Sequence, residues 1–69
     1  MRQTSKVTGE SYYPEESCII LNVAQVVAYL EHGARLLDIY VGKGKKLCFV
    51  FPRDEYTKDL FDKWSKYEL

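Results

Sequence analysis

Two runs of alternating apolar residues, separated by a short glycine turn, constrain this chain more than any other feature. From Arg35 to Val41, Leu37, Ile39 and Val41 fall on one side, and Leu36, Asp38 and Tyr40 on the other. From Lys46 to Phe51, Leu47, Phe49 and Phe51 share one side, with Lys46, Cys48 and Val50 opposite. Gly42-Lys43-Gly44 lies between them and holds two glycines free to adopt positive φ. The pattern predicts a β-hairpin, closed after its second strand by Pro52, which cannot donate to a ladder.

The flanking segments complete the outline. Cys18-Ile19-Ile20-Leu21 is a short, β-branched apolar run and predicts a buried strand. Asn22 is a preferred N-cap, followed three residues later by Gln25, and Gly33 supplies a left-handed stop. A helix between them carries Val23, Val26, Val27 and Leu30 on one stripe and Gln25, Tyr29 and His32 on the opposite face. Asp54 caps a last helix, with Tyr56, Leu60, Trp64 and Tyr67 along one side and Phe61 at its edge. Asp59–Lys63 and Asp62–Lys66 are acid-first i,i+4 pairs, the mark of a solvated helix face.

The expected fold is therefore α+β: a small three-stranded sheet with two helices on one face, in the order β-α-β-β-α. The helical crossover suggests a parallel relation between the first two strands, and hence a mixed sheet. Strand orders 1-3-2 and 3-2-1 both satisfy the pattern. Residues 18–69 make a single small domain. Residues 1–17 are polar and without periodicity, so they read as a flexible arm holding at most a short strand near Tyr12-Tyr13.

Composition excludes several function classes. Ten Lys+Arg balance ten Asp+Glu, and a general nucleic-acid binder needs a basic excess to displace counterions. The longest stretch without a charge, Ser17 to Leu30, is shorter than the roughly 20 apolar residues of a membrane span. The N-terminal MRQTSKVTGES has no apolar core, so no secretory leader is expected and the setting reads as cytoplasmic. Cys18 and Cys48 sit in apolar runs and read as reduced structural thiols.

Reactive constellations are missing. Gly42-Lys43-Gly44-Lys45-Lys46 lacks the GxxxxGK[ST] spacing of a phosphate loop and lies inside a hairpin. His32, the single histidine, sits near a helix C-terminus, where a cation is favoured by the dipole. One histidine and no CxxC make no zinc site. No nucleophile, base and orienting group can be assembled, so neither catalysis, cofactor nor metal is expected.

The stretch Val27-Ala28-Tyr29-Leu30-Glu31-His32-Gly33, then Leu36-Leu37-Asp38-Ile39, then Lys46-Leu47-Cys48-Phe49-Val50-Phe51 resembles a family of short proteins. These occur in bacteriophages and in mobile elements of Gram-positive bacteria, and are catalogued as a domain of unknown function. The similarity spans residues 18 to 67 and rests on core and turn residues. It implies a setting, a phage or prophage product in a bacterial cytoplasm, and transfers no catalytic residue.

The aromatic content says more. With Phe and Trp the six tyrosines make ten aromatics, more than so small a core hides, and tyrosine and tryptophan are enriched at interfaces. Tyr12 and Tyr13 in the arm, Tyr29 on the polar helix face and Tyr40 on the mixed strand face are the expected anchors, with Lys43, Lys45 and Lys46 at the hairpin tip. A sheet face bearing Leu36, Tyr40, Cys48 and Val50 is expected to be uncovered, and a second copy or another protein would cover it. The reading is a non-enzymatic protein-binding module that acts on a host or phage protein, in its sharpest form a steric inhibitor of a bacterial defence system such as an anti-CRISPR protein. The alternative is a nucleic-acid accessory protein that meets phosphate with the lysine tip and stacks bases on tyrosines.

Overall fold

The strand with apolar residues on both sides takes the middle of the sheet. In the computed structural model, which describes residues 1–69, the elements are β1 (Gln3–Thr4), β2 (Ser11–Tyr12), β3 (Ser17–Ile20), α1 (Val23–Glu31), β4 (Asp38–Val41), β5 (Leu47–Pro52) and α2 (Glu55–Ser65). β3, β5 and β4 form a three-stranded sheet in that order, and β1 pairs with β2 alone. Cys48, Phe49, Val50 and Phe51 of β5 are all buried, which only a central strand covered on both faces allows.

The α+β class and the β-α-β-β-α order of the main domain stand as expected, with strand order 1-3-2. The sheet is not mixed, however. β3 and β4 each pair antiparallel with β5, so they run in the same direction without touching. The hairpin itself is present, with Asp38 opposite Val50 and Val41 opposite Leu47. Its turn is a 3-10 segment, Lys43–Lys45, bracketed by the Gly42 N–H donating to Lys46 O at 2.8 Å. Gly42 is required there by space, because a Cβ would stand 2.8 Å from Cys48 Sγ.

Both helices are capped as their sequences dictate. Asn22 Oδ1 accepts from the Ala24 and Gln25 N–H groups, and Asp54 Oδ1 from that of Thr57. Gly33, at φ 86, ends α1 with paired bonds from Gly33 N–H to Leu30 O and from Ala34 N–H to Tyr29 O. The two helices lie on the Phe49/Phe51 face. There Val26 and Tyr29 of α1 and Leu60 of α2 join Ile20, Phe49 and Phe51 in the main core.

α1 is rotated from its expected setting. Gln25, Val26 and Tyr29 face inward, while Val23, Val27 and Leu30 are 55, 49 and 41% exposed. The reason lies in the Tyr29 ring. It fills the space over β5, meeting Phe51 edge-on with centroids 5.6 Å apart at 65°. Its phenol is satisfied in the interior by Gln25 Nε2, which donates to Tyr29 Oη at 3.0 Å. A large aromatic with its polar end paired displaces three smaller aliphatics from the core side.

The second face of the sheet is covered by the arm, which is ordered as a hairpin. Ser5 is buried; its hydroxyl accepts from the Val7 and Thr8 N–H groups, and its own N–H donates to Glu10 O. Thr8 Oγ1 donates to Leu37 O at 2.7 Å, and Arg35 pairs with Glu10. Tyr12 packs with Leu37 and Val50 in a second cluster, and its hydroxyl donates to Asp38 Oδ2 at 2.6 Å. Polar side chains here satisfy backbone that no regular ladder would reach.

This pair makes stability depend on pH in two windows. Burial pushes the Tyr12 phenol up from 10.0 to about 12, reinforced by the hydrogen bond to Asp38 and that group's charge. The neutral phenol is the form the fold favours. Its contribution is complete below pH 10.0 and is lost as pH rises through about 12. Burial acts to raise Asp38 too, but hydrogen bonds from Ser5, Tyr12 and the Ile39 N–H outweigh it and hold the carboxyl below its ordinary 3.8. That contribution is complete above the ordinary value and is lost as pH falls below it. Urea unfolding across pH is expected to show both losses, with the acid one reduced in Asp38→Asn.

Candidate interaction surface

The anchors expected from sequence divide into two groups. Tyr12, 7% exposed, and Tyr29, 0% exposed, are interior residues and present no surface. Burial pushes the Tyr29 phenol upward, against the hydrogen bond from Gln25. Tyr13, Tyr40, Lys43, Lys45 and Lys46 are exposed, and none of these lysines is in an ion pair. Of the sheet face expected to be open, the arm closes the Val50 end, where Tyr12 and Leu37 pack on it; Tyr40 stays 40% exposed, and Leu36 packs against the main core instead.

The exposed apolar surface lies elsewhere, along the charge-free run. Val23, Val27 and Leu30 recur at i, i+4 and i+7 on the outward side of α1, with Ala24 exposed beside them. Ile19 and Leu21 are each 53% exposed, so half-bare aliphatics recur from β3 to the end of α1. Leu21 follows the last core residue of β3, and Ile19 alternates outward from Cys18 and Ile20. The signal for this surface was the uncharged stretch Ser17–Leu30 in a chain that is 29% charged. A run with no charge to hold it in water marks an interface when the fold leaves it outside.

A groove of about 620 Å³ opens between β3 and α2. Cys18, Ile20 and Tyr29 contribute to its lining, Ile19 and Phe61 flank it, and Arg53, Asp54, Glu55 and Lys58 add charge. A smaller one of about 380 Å³ lies on the arm side of the same strand, against Tyr12, Tyr40 and Val50. Cys18 borders both. Burial raises its thiol pKa and Asp54 adds to this, with Arg53 opposing, so the unreactive protonated form prevails at neutral pH.

No three His, Cys, Asp or Glu side chains come together as a metal site. His32 Nδ1 lies 2.8 Å from Ala28 O, and no buried side-chain nitrogen or oxygen lacks a hydrogen-bond partner. No helix is long and apolar enough to cross a membrane. The fold and this surface define a small α+β domain with an antiparallel sheet packed between two helices and an N-terminal hairpin. Comparisons with protein-family models, with curated proteins and with solved structures each find no match.

Proposed function

We propose that this chain is a non-enzymatic protein-binding module that inserts the outer face of α1 into an apolar groove of a partner protein. One observation carries the reading: α1 buries Tyr29 and turns Val23, Val27 and Leu30 outward. Those residues have the spacing by which an amphipathic helix seats in a hydrophobic groove. Ala24 and Ala28 between them let a partner approach closely. The rim is polar, with Glu31 and His32 at the helix end. A partner in a bacterial cell is the setting that the resemblance to short phage proteins implies. Steric inhibition of a defence protein, as by an anti-CRISPR protein, is the sharpest form of the proposal.

Affinity capture from bacterial lysate tests it. The wild-type chain is expected to retain one stoichiometric protein, and Val27→Lys to weaken that association by about 30-fold, the effect of losing one interface anchor of about 2 kcal/mol. Equal capture by Val27→Lys and wild type would overturn the assignment. The free lysine tip favours a second reading, contact with nucleic-acid phosphate. DNA binding that falls steeply with salt, and is abolished by changing Lys43, Lys45 and Lys46 to Glu, would establish it instead.

A further inference from the structure

We propose that β3 is a dimer edge, where the β3 strands of two copies pair antiparallel about a two-fold axis at Ile19 and continue the sheet across both molecules. The inference goes beyond the partner surface on α1 and rests on the backbone of β3, not on the α1 anchors Val23, Val27 and Leu30.

The sheet has two edges, and they are not alike. On β4, Asp38 Oδ1 accepts the Ile39 N–H at 2.8 Å, and the lysine turn follows directly. Both are devices that close an edge to further pairing. β3 carries no charge of its own, and the one charge on its outer edge, the Arg53 guanidinium, is confined to the Ser17 end. Its register sets Ser17 opposite Pro52, which has no N–H, while the next pair outward bonds through the Arg53 N–H to Glu16 O. Ladder bonding therefore falls on Cys18 and Ile20, and the backbone groups of Ser17 and Ile19 point away from β5.

The groups still free choose the register. The Ser17 N–H is used by Pro14 O, and Ser17 O already accepts from Arg53 Nη2. The Ile19 N–H and C=O point outward, and the Leu21 N–H donates to no group of the chain. An axis at Cys18 would require the Ser17 N–H as a donor. An axis at Ile20 would set Ser17 opposite Val23, where the chain has already turned into α1. An axis at Ile19 draws on the free Ile19 and Leu21 groups and on one shared acceptor: two reciprocal bonds join Ile19 to its symmetry mate, and the Leu21 N–H of each copy is directed at Ser17 O of the other. A carbonyl has a second lone pair for this.

Charge selects a second copy as occupant and antiparallel as the sense. Antiparallel pairing brings the Glu15-Glu16 end of one copy to the Asn22 end of the other, where α1 begins. α1 has no acidic residue in its first turn, and Glu16 is in no ion pair. A carboxylate at the positive end of the helix dipole is favourable. Parallel pairing would set Glu15-Glu16 against itself. The second copy also brings a strand that is already extended, so no ordering cost is added. The grooves on the two faces give an added strand clearance on both sides.

Sedimentation velocity of the full chain over a concentration series tests the proposal. The wild type is expected to be a dimer. Ile19→Asp sets two carboxylates opposite each other at the axis and is expected to raise the dissociation constant about tenfold or more, with an unchanged circular dichroism spectrum. Ile19→Cys in a Cys18→Ser background is expected to oxidise to a disulfide-linked dimer, since paired antiparallel Cα atoms about 5.5 Å apart suit the bridge. Val27→Lys is expected to leave the dimer intact, so this proposal and the partner surface on α1 fail separately. A wild-type monomer throughout, with or without capture of a foreign strand, would overturn it. So would a dimer indifferent to Ile19→Asp, or an Ile19→Cys variant that forms no disulfide.

Discussion

Tyr12→Ala is expected to leave the chain largely unfolded at room temperature. Tyr12 is the arm's largest contribution to the second core, where it packs on Leu37 and Val50. Removing a buried aromatic ring costs about 3–5 kcal/mol. A hydrophobic core in so small a domain rarely supplies more than about 3–5 kcal/mol. The loss therefore equals the whole margin. Tyr12→Phe separates the two parts of that effect. The ring stays and the hydrogen bond to Asp38 at 2.6 Å goes, leaving a partly buried carboxylate with one donor fewer. That variant is expected to lose about 1–3 kcal/mol and to raise the Asp38 pKa, moving acid unfolding to higher pH. Urea unfolding followed by circular dichroism measures both. Stability unchanged in Tyr12→Ala would mean that the arm is a tail and that the Val50 face lies open.

The features legible in the sequence were those set by neighbours in the chain. The β4–β5 hairpin follows from alternation around Gly42-Lys43-Gly44, and the helix ends from Asn22, Gly33 and Asp54, each acting through groups a few residues away. Two features were not legible for the same reason in reverse. The arm has no periodicity because Ser5 and Thr8 satisfy its backbone through side chains, and because its hold on the sheet runs through Thr8 to Leu37 and Tyr12 to Asp38. The rotation of α1 was hidden because the helix is apolar nearly all round. Val23, Val26, Val27 and Leu30 make a wide stripe, and periodicity ranks faces by hydropathy, without regard to the volume beneath them. Gln25 and Tyr29 stand four apart, a spacing at which a polar pair can satisfy itself and go inward together. That pair was the available signal. With it, the exposed apolar surface of α1 lies with the valines and not with Tyr29.

Exchanging the fates of Tyr29 and Val27 gives the sharpest check on that rotation, because the two settings of α1 predict opposite outcomes. Tyr29 is 0% exposed and stands edge-on to Phe51, itself 0% exposed. Tyr29→Ala opens a cavity under both helices, at about 3–5 kcal/mol. It also strips the buried Gln25 amide of its acceptor, which adds about 1–3 kcal/mol. The sum exceeds the stability of a chain this small, so no cooperative unfolding transition is expected. Val27→Lys changes a half-exposed position, where substitutions stay within about 0.5 kcal/mol of neutral. It is therefore expected to unfold in urea at the wild-type midpoint. The reverse pattern, a tolerated Tyr29→Ala and an unfolded Val27→Lys, would mean that the valine stripe is the core face. The outward surface would then be Gln25 and Tyr29, and a partner would meet an aromatic and an amide where the structure sets aliphatic anchors. The function proposed for the α1 face thus depends on a quantity that unfolding curves measure without knowledge of the partner.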